Sequence, residues 1–350
     1  MELHIKHLLV TGGAGFIGSH FSKLALAKGY SVSVIDKLTY SGSIENLAEI
    51  EELKNFKFIQ GSILDDKLLE RIFKNNQYNA VLNFAAETHV DRSIENATDF
   101  VLTNVLGVQK LISHSMKLFR ENSNFKFIQI STDEVFGSIE SGDFNEQSVY
   151  SPNSPYAASK AGGDHLVSSY CKTFDFPGII TNCSNNYGGN QFPEKLVPLL
   201  IIQAMQKNYL PIYGKGKQMR DWLHVQDHCN ALLLILEKGV SGSRYVIGGN
   251  NCIKNLDMAI NICKILDEIK PLKLMKYENL IKFVEDRPGH DLRYSVDASK
   301  INNELGWVPK IDFIEGLKST INWYIDNKKW WEDILQNGYT ADRIGLKSKK

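Results

Sequence analysis

The first half of the sequence repeats one pattern. Short apolar runs, HLLV (7–10), SVSVID (31–36), FKFIQ (56–60), AVLNFAA (80–86), FKFIQI (125–130) and GIITNC (178–183), are separated by segments long enough for a helix. Near-continuous apolarity marks strands buried on both faces, since a half-exposed strand would alternate. Strands of that kind joined by helices make a parallel, doubly wound sheet, so the fold class is α/β. Ligands of such a sheet sit at the carboxyl ends of its strands, and the loops after these runs are the expected site.

Beyond about Asn185 the regularity gives way to shorter elements rich in Gly, Pro and charge, with helical patterns near 194–207, 227–238 and 256–268. RYVIGG (244–249) reads as one more strand of the first sheet. The expected layout is a sheet domain over residues 1–184, to which about 225–255 returns, and a smaller, interleaved α/β substrate lobe over 185–224 and 256–345. A chain of 350 residues has the length for a sizeable apolar core. The polar end GLKSKK (345–350) is expected to fray.

Lys and Arg number 40, as do Asp and Glu, for a formal net charge of zero. That balance argues against a nucleic acid or an anionic membrane as partner, and implies that a charged substrate is held by a local cluster. The five cysteines, at 171, 183, 229, 252 and 263, form no CxxC pair and have no His spacing suited to zinc. No metal is therefore expected, and the thiols read as packed side chains in a reducing cytosol. MELHIK runs directly into the first strand, and no apolar stretch approaches the ~20 residues of a membrane span, so a cytoplasmic protein is expected.

LLVTGGAGFIGSH places Gly12, Gly13, Gly15 and Gly18 directly after the first strand. They open a helix whose apolar face is Phe16, Ile17, Phe21, Leu24 and Ala25. Glycines there permit a tight turn and a close approach of backbone to a pyrophosphate, whose charge then sits on the helix N-terminus. A glycine-rich turn alone is common; the strand before it, the helix after it and an acid downstream make it specific. The acid is Asp36, eighteen residues past Gly18, close to the ~20 expected of a carboxylate that grips a ribose 2′-hydroxyl. A carboxylate there repels a 2′-phosphate, so the cofactor is read as NAD, with Lys37 softening the preference, and the sheet as a Rossmann domain.

SPYAASKAGGDHLV (154–167) opens a helix in good order, with Ser154 able to cap and Pro155 at the first helical position. Tyr156 and Lys160, four apart, share a face of its first turns. Tyr and Lys at that spacing are frequent on helix surfaces, and the nucleotide fingerprint upstream is what gives the pair meaning. A phenol is a poor base near neutrality unless an adjacent ammonium and a cationic nicotinamide favour its anion. Tyr156 would then take the proton of a hydroxyl whose carbon gives up hydride, Lys160 would lower its pKa and hold the cofactor ribose, and Thr132 would hydrogen-bond the same hydroxyl. STDEVFG (131–137) adds Asp133 and Glu134, which in isolation read as a strand end with a polar cap.

Through TGGAGFIGSH, DKLTYSG, NFAAETHVDRSI, STDEVFG, SPYAASKAGGDHLV, NCSNNYGGNQFPEKLVPL, RDWLHVQDH and EDRPGHDLRY, nearly the whole chain resembles the extended short-chain dehydrogenase/reductases. Within these it is most similar to the nucleoside-diphosphate-glucose 4,6-dehydratases. The glycine loop and the Tyr–Lys pair mark the superfamily, whereas STDEVFG with FAAETHVDRS and DRPGHD is far more specific. The resemblance implies NAD-dependent removal of water from dTDP-glucose or UDP-glucose, with Thr132, Asp133, Glu134, Tyr156 and Lys160 as the reacting set. In the implied cycle Tyr156 and NAD oxidise C4 of the glucose. Glu134 then removes the C5 proton while Asp133 protonates the leaving C6 hydroxyl, and hydride returns to C6, giving the 4-keto-6-deoxy sugar. Opposite roles for neighbouring carboxyls require environments that separate their pKa values.

The resemblance further implies cofactor contacts at Gly12, Gly15, Phe16, Ile17, Gly18, Asp36, Lys37, Leu38 and Thr39. It extends them to Ser62, Ile63, Phe84, Ala85, Ala86, Thr88, Thr103 and Asn186, besides Tyr156 and Lys160. For the nucleotide sugar it implies Thr88, Thr132, Asn185, Glu194, Lys195, Leu196, Pro211, Tyr213, Arg220, Asn255, Arg287 and His290, the arginine forks being suited to a diphosphate. His89, Asp91 and Arg92 are read as structural ion-pair and loop residues. A homodimer is implied through residues 99–119 and the helix after Tyr156.

Three positions depart from the family pattern. Ser62 replaces an Asp that would accept from the adenine amino group, Phe136 replaces a Tyr, and Gly189 replaces a Pro, read as a change in loop stiffness. Competing readings are a nucleotide-sugar 4-epimerase, a decarboxylase acting on a nucleotide uronic acid, and a non-catalytic NAD-binding protein. The first two have no use for the Asp133 and Glu134 pair, and the third none for Tyr156 and Lys160.

Overall fold

A computed structural model describes residues 7–287 and 289–336; MELHIK and GLKSKK fall outside them. The described strands are β1 (His7–Thr11), β2 (Ser31–Asp36), β3 (Phe56–Gln60), β4 (Ala80–Asn83), β5 (Lys126–Thr132), β6 (Gly178–Cys183), β7 (Asn185–Tyr187), β8 (Leu210–Tyr213), β9 (Met219–His224), β10 (Arg244–Ile247), β11 (Cys252–Lys254) and β12 (Ile281–Val284). The α-helices are α1 (Phe16–Ala27), α2 (Asp66–Asn75), α3 (Val90–Glu95), α4 (Thr98–Val101), α5 (Val108–Glu121), α6 (Pro155–Phe174), α7 (Leu196–Met205), α8 (Val225–Lys238), α9 (Asn255–Ile269), α10 (Ser299–Leu305), α11 (Phe313–Asp326) and α12 (Lys328–Gln336).

Seven strands form one sheet in the order β3-β2-β1-β4-β5-β6-β10, with every neighbouring pair parallel. The central strands β4, β5 and β6 are buried along their whole length, which is why they read as apolar runs without alternation. RYVI of β10 returns to this sheet beside β6, as the sequence suggested. Two of the boundaries that differ from the sequence reading matter for the site. AVLNFAA stops being a strand at Asn83, whose side chain accepts from Thr11 Oγ1 at 2.6 Å and donates to Gln129 Oε1 at 2.8 Å. Residues 84–88 then leave the sheet, and Asn104 ties the Glu87 main chain at both N–H and C=O, each at 3.0 Å. FKFIQI instead extends through Ser131 and Thr132, which pair with Asn182 and Cys183 of β6.

Helices α1 and α8 cover one face of the sheet, where Phe21, Leu232 and Ile235 join Leu8, Val10 and Ile128 in one apolar cluster. The other face is covered by α2, α5 and α6 through Leu69, Leu111 and Val167. A separate core, containing Tyr187, Leu200, Trp222, Met258 and Leu317, belongs to α7, α9 and α11 with the small sheets β11-β9-β7 and β12-β8. The chain passes between the two cores more than once. Ile301 of α10 and Trp307, in a stretch that the sequence layout assigned to the second lobe, lie in the first core.

Between α4 and α5 the helix widens into a π turn over Leu102–Gly107. Its inner residues Thr103 and Asn104 are buried, while Val101, Leu102 and Leu106 on the outer side are 51%, 38% and 40% exposed.

Candidate active site

The carboxyl ends of β1, β2, β4, β5 and β6 open into a cavity of about 320 Å³. Its lining includes every residue expected to react or to contact the cofactor except Leu38, together with Asn185, Glu194, Lys195 and Leu196 from the substrate set. Leu38 instead takes a left-handed backbone, with φ 54°, and donates its N–H to Asp36 Oδ1 at 2.8 Å.

At the glycine loop the backbone passes so close to itself that a Cβ on Gly18 would lie 2.4 Å from the Gly12 carbonyl oxygen. Helix α1 begins at Gly15, which offers no capping side chain, and its first turn holds no acidic residue. The unpaired N–H groups there suit an anion. Asp36 Oδ2 accepts from Ala14 N–H at 3.0 Å, and its oxygens have lone pairs left for a ribose diol. Burial pushes this carboxyl up, while the N–H groups of Leu38 and Ala14 hold it down. An uncapped helix end with no acid in its first turn, facing a carboxylate at the next strand end, fits a dinucleotide. Ser62 lines the cavity, but its Oγ already accepts from Leu64 N–H at 3.1 Å.

Thr132 ends β5 and caps the 3-10 turn Asp133–Phe136, its Oγ1 accepting from Glu134 N–H at 3.2 Å. The cap that the sequence allowed for is present, and it places both carboxyls at the cavity. Tyr156 and Lys160 follow from α6, whose start is fixed by Ser154 Oγ accepting from Ala157 N–H at 3.1 Å. Lys160 Nζ donates to the Ile130 carbonyl at 2.6 Å.

Burial pushes the Tyr156 phenol well above its ordinary 10, the Glu134 and Cys183 charges add to the rise, and a hydrogen bond with Thr132 opposes it. Lys160 is itself pushed down by burial, with the Asp164 charge opposing, and its ammonium is spent on a backbone carbonyl.

The two carboxyls differ. Asp133 is 2% exposed, and its Oδ2 has no hydrogen-bond partner among the described residues. Burial, then the charges of Glu134 and Asp221, push it well above the usual carboxylate range. Glu134 is half-buried, and burial raises it too, but Arg287, Arg220 and Lys195 all pull it back. Both carboxyls are raised, Asp133 the more strongly, so Asp133 is the better placed of the two to hold a proton.

Pro211, Tyr213, Arg220, Asn255, Arg287 and His290 form an adjoining group rather than part of the cavity wall. Arg220 donates to the carbonyls of Met219 at 2.7 Å and Asp291 at 3.1 Å and lies over the Tyr294 ring at 4.1 Å. Arg287 Nη1 meets Asp91 Oδ1 at 3.3 Å, and Tyr213 OH meets Asp91 Oδ2 at the same distance. Asp91, read as a structural residue, thus ties α3 to an arginine of the second lobe. His290 Nδ1 contacts Asp286 Oδ1 at 2.6 Å. Pro211 stands opposite Lys282 across β8 and β12, and Asn255 N–H donates to Gln218 O at 2.9 Å at the start of α9. His89 faces Glu194 at 3.6 Å, Arg92 covers the Tyr40 ring at 3.8 Å, and Lys195 Nζ donates to Thr88 O at 2.8 Å.

Phe136 stacks on Phe144 at 5.3 Å inside an apolar cluster with Val135 and Val296. At Gly189 the sequence reading is corrected: a Cβ there would meet the Trp323 ring at 2.7 Å, so glycine serves packing against α11, not loop stiffness. Sequence reasoning missed Cys183, Gln191 and Trp222, which line the cavity. It also missed the wholly buried Asp164, whose Oδ2 accepts from Ser131 Oγ at 2.6 Å and Tyr150 OH at 2.8 Å. The signals were spacings: Trp222 lies two residues after Arg220 on a strand, and Asp164 one helical turn after Lys160. Among the described residues no helix is long and apolar enough to cross a membrane.

A family model described as GDP-mannose 4,6 dehydratase matches residues 9–320. The dTDP-glucose 4,6-dehydratase of Escherichia coli is 47% identical over 97% of this chain and 99% of its own length. The crystal structure of a dTDP-glucose 4,6-dehydratase from Streptomyces venezuelae with NAD and TDP bound superimposes with a TM-score of 0.87 at 42% identity, covering 94% of this chain and 99% of that one. A UDP-glucose 4-epimerase from Thermotoga maritima, solved with UDP-glucose, reaches a TM-score of 0.83 at 28% identity, with coverage of 92% and 99%.

Proposed function

The chain belongs to the dTDP-glucose 4,6-dehydratase family, and we propose that it removes water from dTDP-glucose, with NAD as cofactor, to give the 4-keto-6-deoxy sugar nucleotide. The observation that carries this reading is the unequal setting of Asp133 and Glu134 beside Tyr156 in one cavity. A 4-epimerase shares the sheet and the Tyr–Lys pair but has no water to eliminate, and so no need for one carboxyl held protonated next to one held ionised.

When bound, NAD supplies the acceptor and then the donor of hydride. The residues supply everything that moves a proton. Tyr156 and Thr132 hold the C4 hydroxyl, and Tyr156 takes its proton. Lys160, fixed on the Ile130 carbonyl, keeps a positive charge beside that exchange. Glu134 accepts the C5 proton once C4 is a ketone and C5 has become acidic. Asp133 delivers a proton to the C6 oxygen, so that it departs as water and not as hydroxide. Arg220, Arg287 and Lys195 oppose the diphosphate charge and, by the same field, keep Glu134 ionised in spite of its burial.

The seven-stranded sheet holds the cofactor and the second lobe the nucleotide. The chain works as a homodimer in the cytoplasm, joined through α6 and the outer side of residues 99–119, where Val101, Leu102 and Leu106 are exposed. Incubation with NAD and dTDP-glucose is expected to give a product lighter by one water in the mass spectrum. Unchanged mass with inversion at C4 would make the protein an epimerase.

A further inference from the structure

Buried polar atoms without a partner are rare in folded proteins, and each needs an explanation. Two of them here are neighbours. The indole Nε1 of Trp222 and the amide Oδ1 of Asn185 are buried and have no hydrogen-bond partner among the described residues. Both residues line the cavity, and Trp222 is 4% exposed. Strands β7 and β9 run parallel with Asn185 directly opposite Trp222. Opposed residues of a parallel ladder project from the same face, on strands ~4.8 Å apart.

One atom is a donor lacking an acceptor and the other an acceptor lacking a donor, yet they do not bond each other. An unfilled donor beside an unfilled acceptor marks a place for one bridging group. It suits a single hydroxyl, whose oxygen accepts from the indole N–H while its proton goes to the amide oxygen. The position along the site narrows which hydroxyl this is. Arg220, two residues before Trp222 on β9, shares its face of the strand. Asn185 comes two residues after Cys183, which stands opposite Thr132 at the end of β5. The pair therefore lies between a cation suited to the diphosphate on C1 and the strand end that leads into the reacting carboxyls.

We propose that Trp222 N–H and Asn185 Oδ1 together hold one hexose hydroxyl that the reaction leaves untouched, at C2 or C3. Trp222 is thereby a specificity-determining residue for the sugar. This rests on the nucleotide-sugar reading given above. The doublet rewards a sugar with a hydroxyl at that position and penalises one without it, because two buried polar atoms then stay unpaired.

Trp222→Phe removes the N–H and keeps an apolar ring. With the full-length, NAD-loaded protein, kcat/KM is to be measured for dTDP-glucose and its 2-deoxy and 3-deoxy analogues, alongside the dissociation constants of NAD and of dTDP, which carries no sugar. The variant is expected to lose about tenfold on dTDP-glucose and on one deoxy analogue, but nothing on the analogue lacking the held hydroxyl. Its affinity for NAD and dTDP should stay within twofold. Asn185→Ala should show the same pattern, and the double variant should lose no more than either single change, since both act on one group. If the Phe variant does not fold, the alanine variant with the deoxy analogues still tests the acceptor half.

Equal losses on all three sugars, a fall in NAD affinity, or no loss at all, the mark of a trapped water bridging the pair, would each overturn the proposal. Absence of dehydrated product from the wild type would sink the functional reading instead. The doublet would then be judged by whether Trp222→Phe weakens binding of dTDP-glucose relative to dTDP.

Discussion

The two ends of the cavity are made differently. The cofactor end is mostly backbone, the turn from Gly12 to Gly18 and the uncapped start of α1, joined by one side chain, the carboxylate of Asp36, all within the first strand–helix–strand unit of one parallel sheet. The substrate end is side chains, with Asn185 and Lys195 in the wall, Arg220 and Arg287 adjoining it from other elements, and Asp91 crossing from the other lobe to hold Arg287. A site written in backbone is fixed by local sequence, because the turn and the ligand geometry are one thing. A site written in side chains depends on how two cores pack, and its specificity rests in polar atoms that wait for a ligand.

The largest expected effect falls where the two ends meet. Glu134→Gln keeps the shape of the base and removes its charge, and it should lower turnover roughly 10³-fold, within the range typical of a lost general base. Binding at both ends should survive. Transient absorbance of NADH should still develop with dTDP-glucose, while exchange of the C5 proton with solvent, followed by NMR in D₂O, should stop. Unimpaired C5 exchange would take Glu134 out of this role.

Next comes a test of whether the cofactor end is as self-contained as its construction implies. Gly18→Ala puts a methyl 2.4 Å from the Gly12 carbonyl. The turn must shift, at a cost of ~1–3 kcal/mol, and NAD affinity should fall roughly 10- to 100-fold. Affinity for dTDP, measured by calorimetry, should not follow. A parallel fall in both would show that the ends are coupled and would break the contrast.

That contrast also explains how much could be read from the sequence. The sheet was legible because β5 and β6 are buried on both faces and so carry unbroken apolar runs, and the glycine loop because strand, turn and helix are consecutive. Tyr156 and Lys160 were named from their spacing behind the nucleotide fingerprint, Asp133 and Glu134 as a reacting pair through a resemblance, and the structure brings all four to one cavity. What the sequence did not carry was electrostatic and tertiary. Lys160 donates to the Ile130 carbonyl, a tertiary contact that the helix spacing does not announce. Trp222 and Asp164 escaped notice because a strand neighbour of Arg220 and a helix neighbour of Lys160 become meaningful only once the fold has buried them. Gly189 was misread because its reason, Trp323, lies more than a hundred residues away.

A smaller effect is expected at the substrate end. Arg287→Lys keeps the charge but loses the planar fork, which matters for a diphosphate and for Asp91, and KM for dTDP-glucose should rise about tenfold. The NAD dissociation constant should be unmoved. A change in NAD affinity here, with none in KM, would reverse the assignment of the two ends.

The smallest effect bears on the boundary itself, where Arg220 alone of the substrate cations opposes the rise of Asp133 and three of them oppose that of Glu134. Asp133 has its folded pKa raised above the unfolded value, so its contribution to stability is complete below the unfolded pKa, ~3.9. It is lost as pH rises toward the folded pKa, because over that interval the unfolded chain releases a proton that the fold retains. The loss runs at up to ~1.4 kcal/mol per pH unit. Asp133→Asn carries no titrating group and escapes the loss. Its melting temperature should therefore equal that of the wild type near pH 4 and exceed it increasingly from pH 5 to 7, although the variant dehydrates poorly. Glu134→Gln should show the same sign with a smaller slope, since Arg287, Arg220 and Lys195 hold the glutamate down. A gap for Asp133→Asn that does not widen with pH would mean that Asp133 is ionised in the folded protein. The two carboxyls would then have to exchange their roles as acid and base.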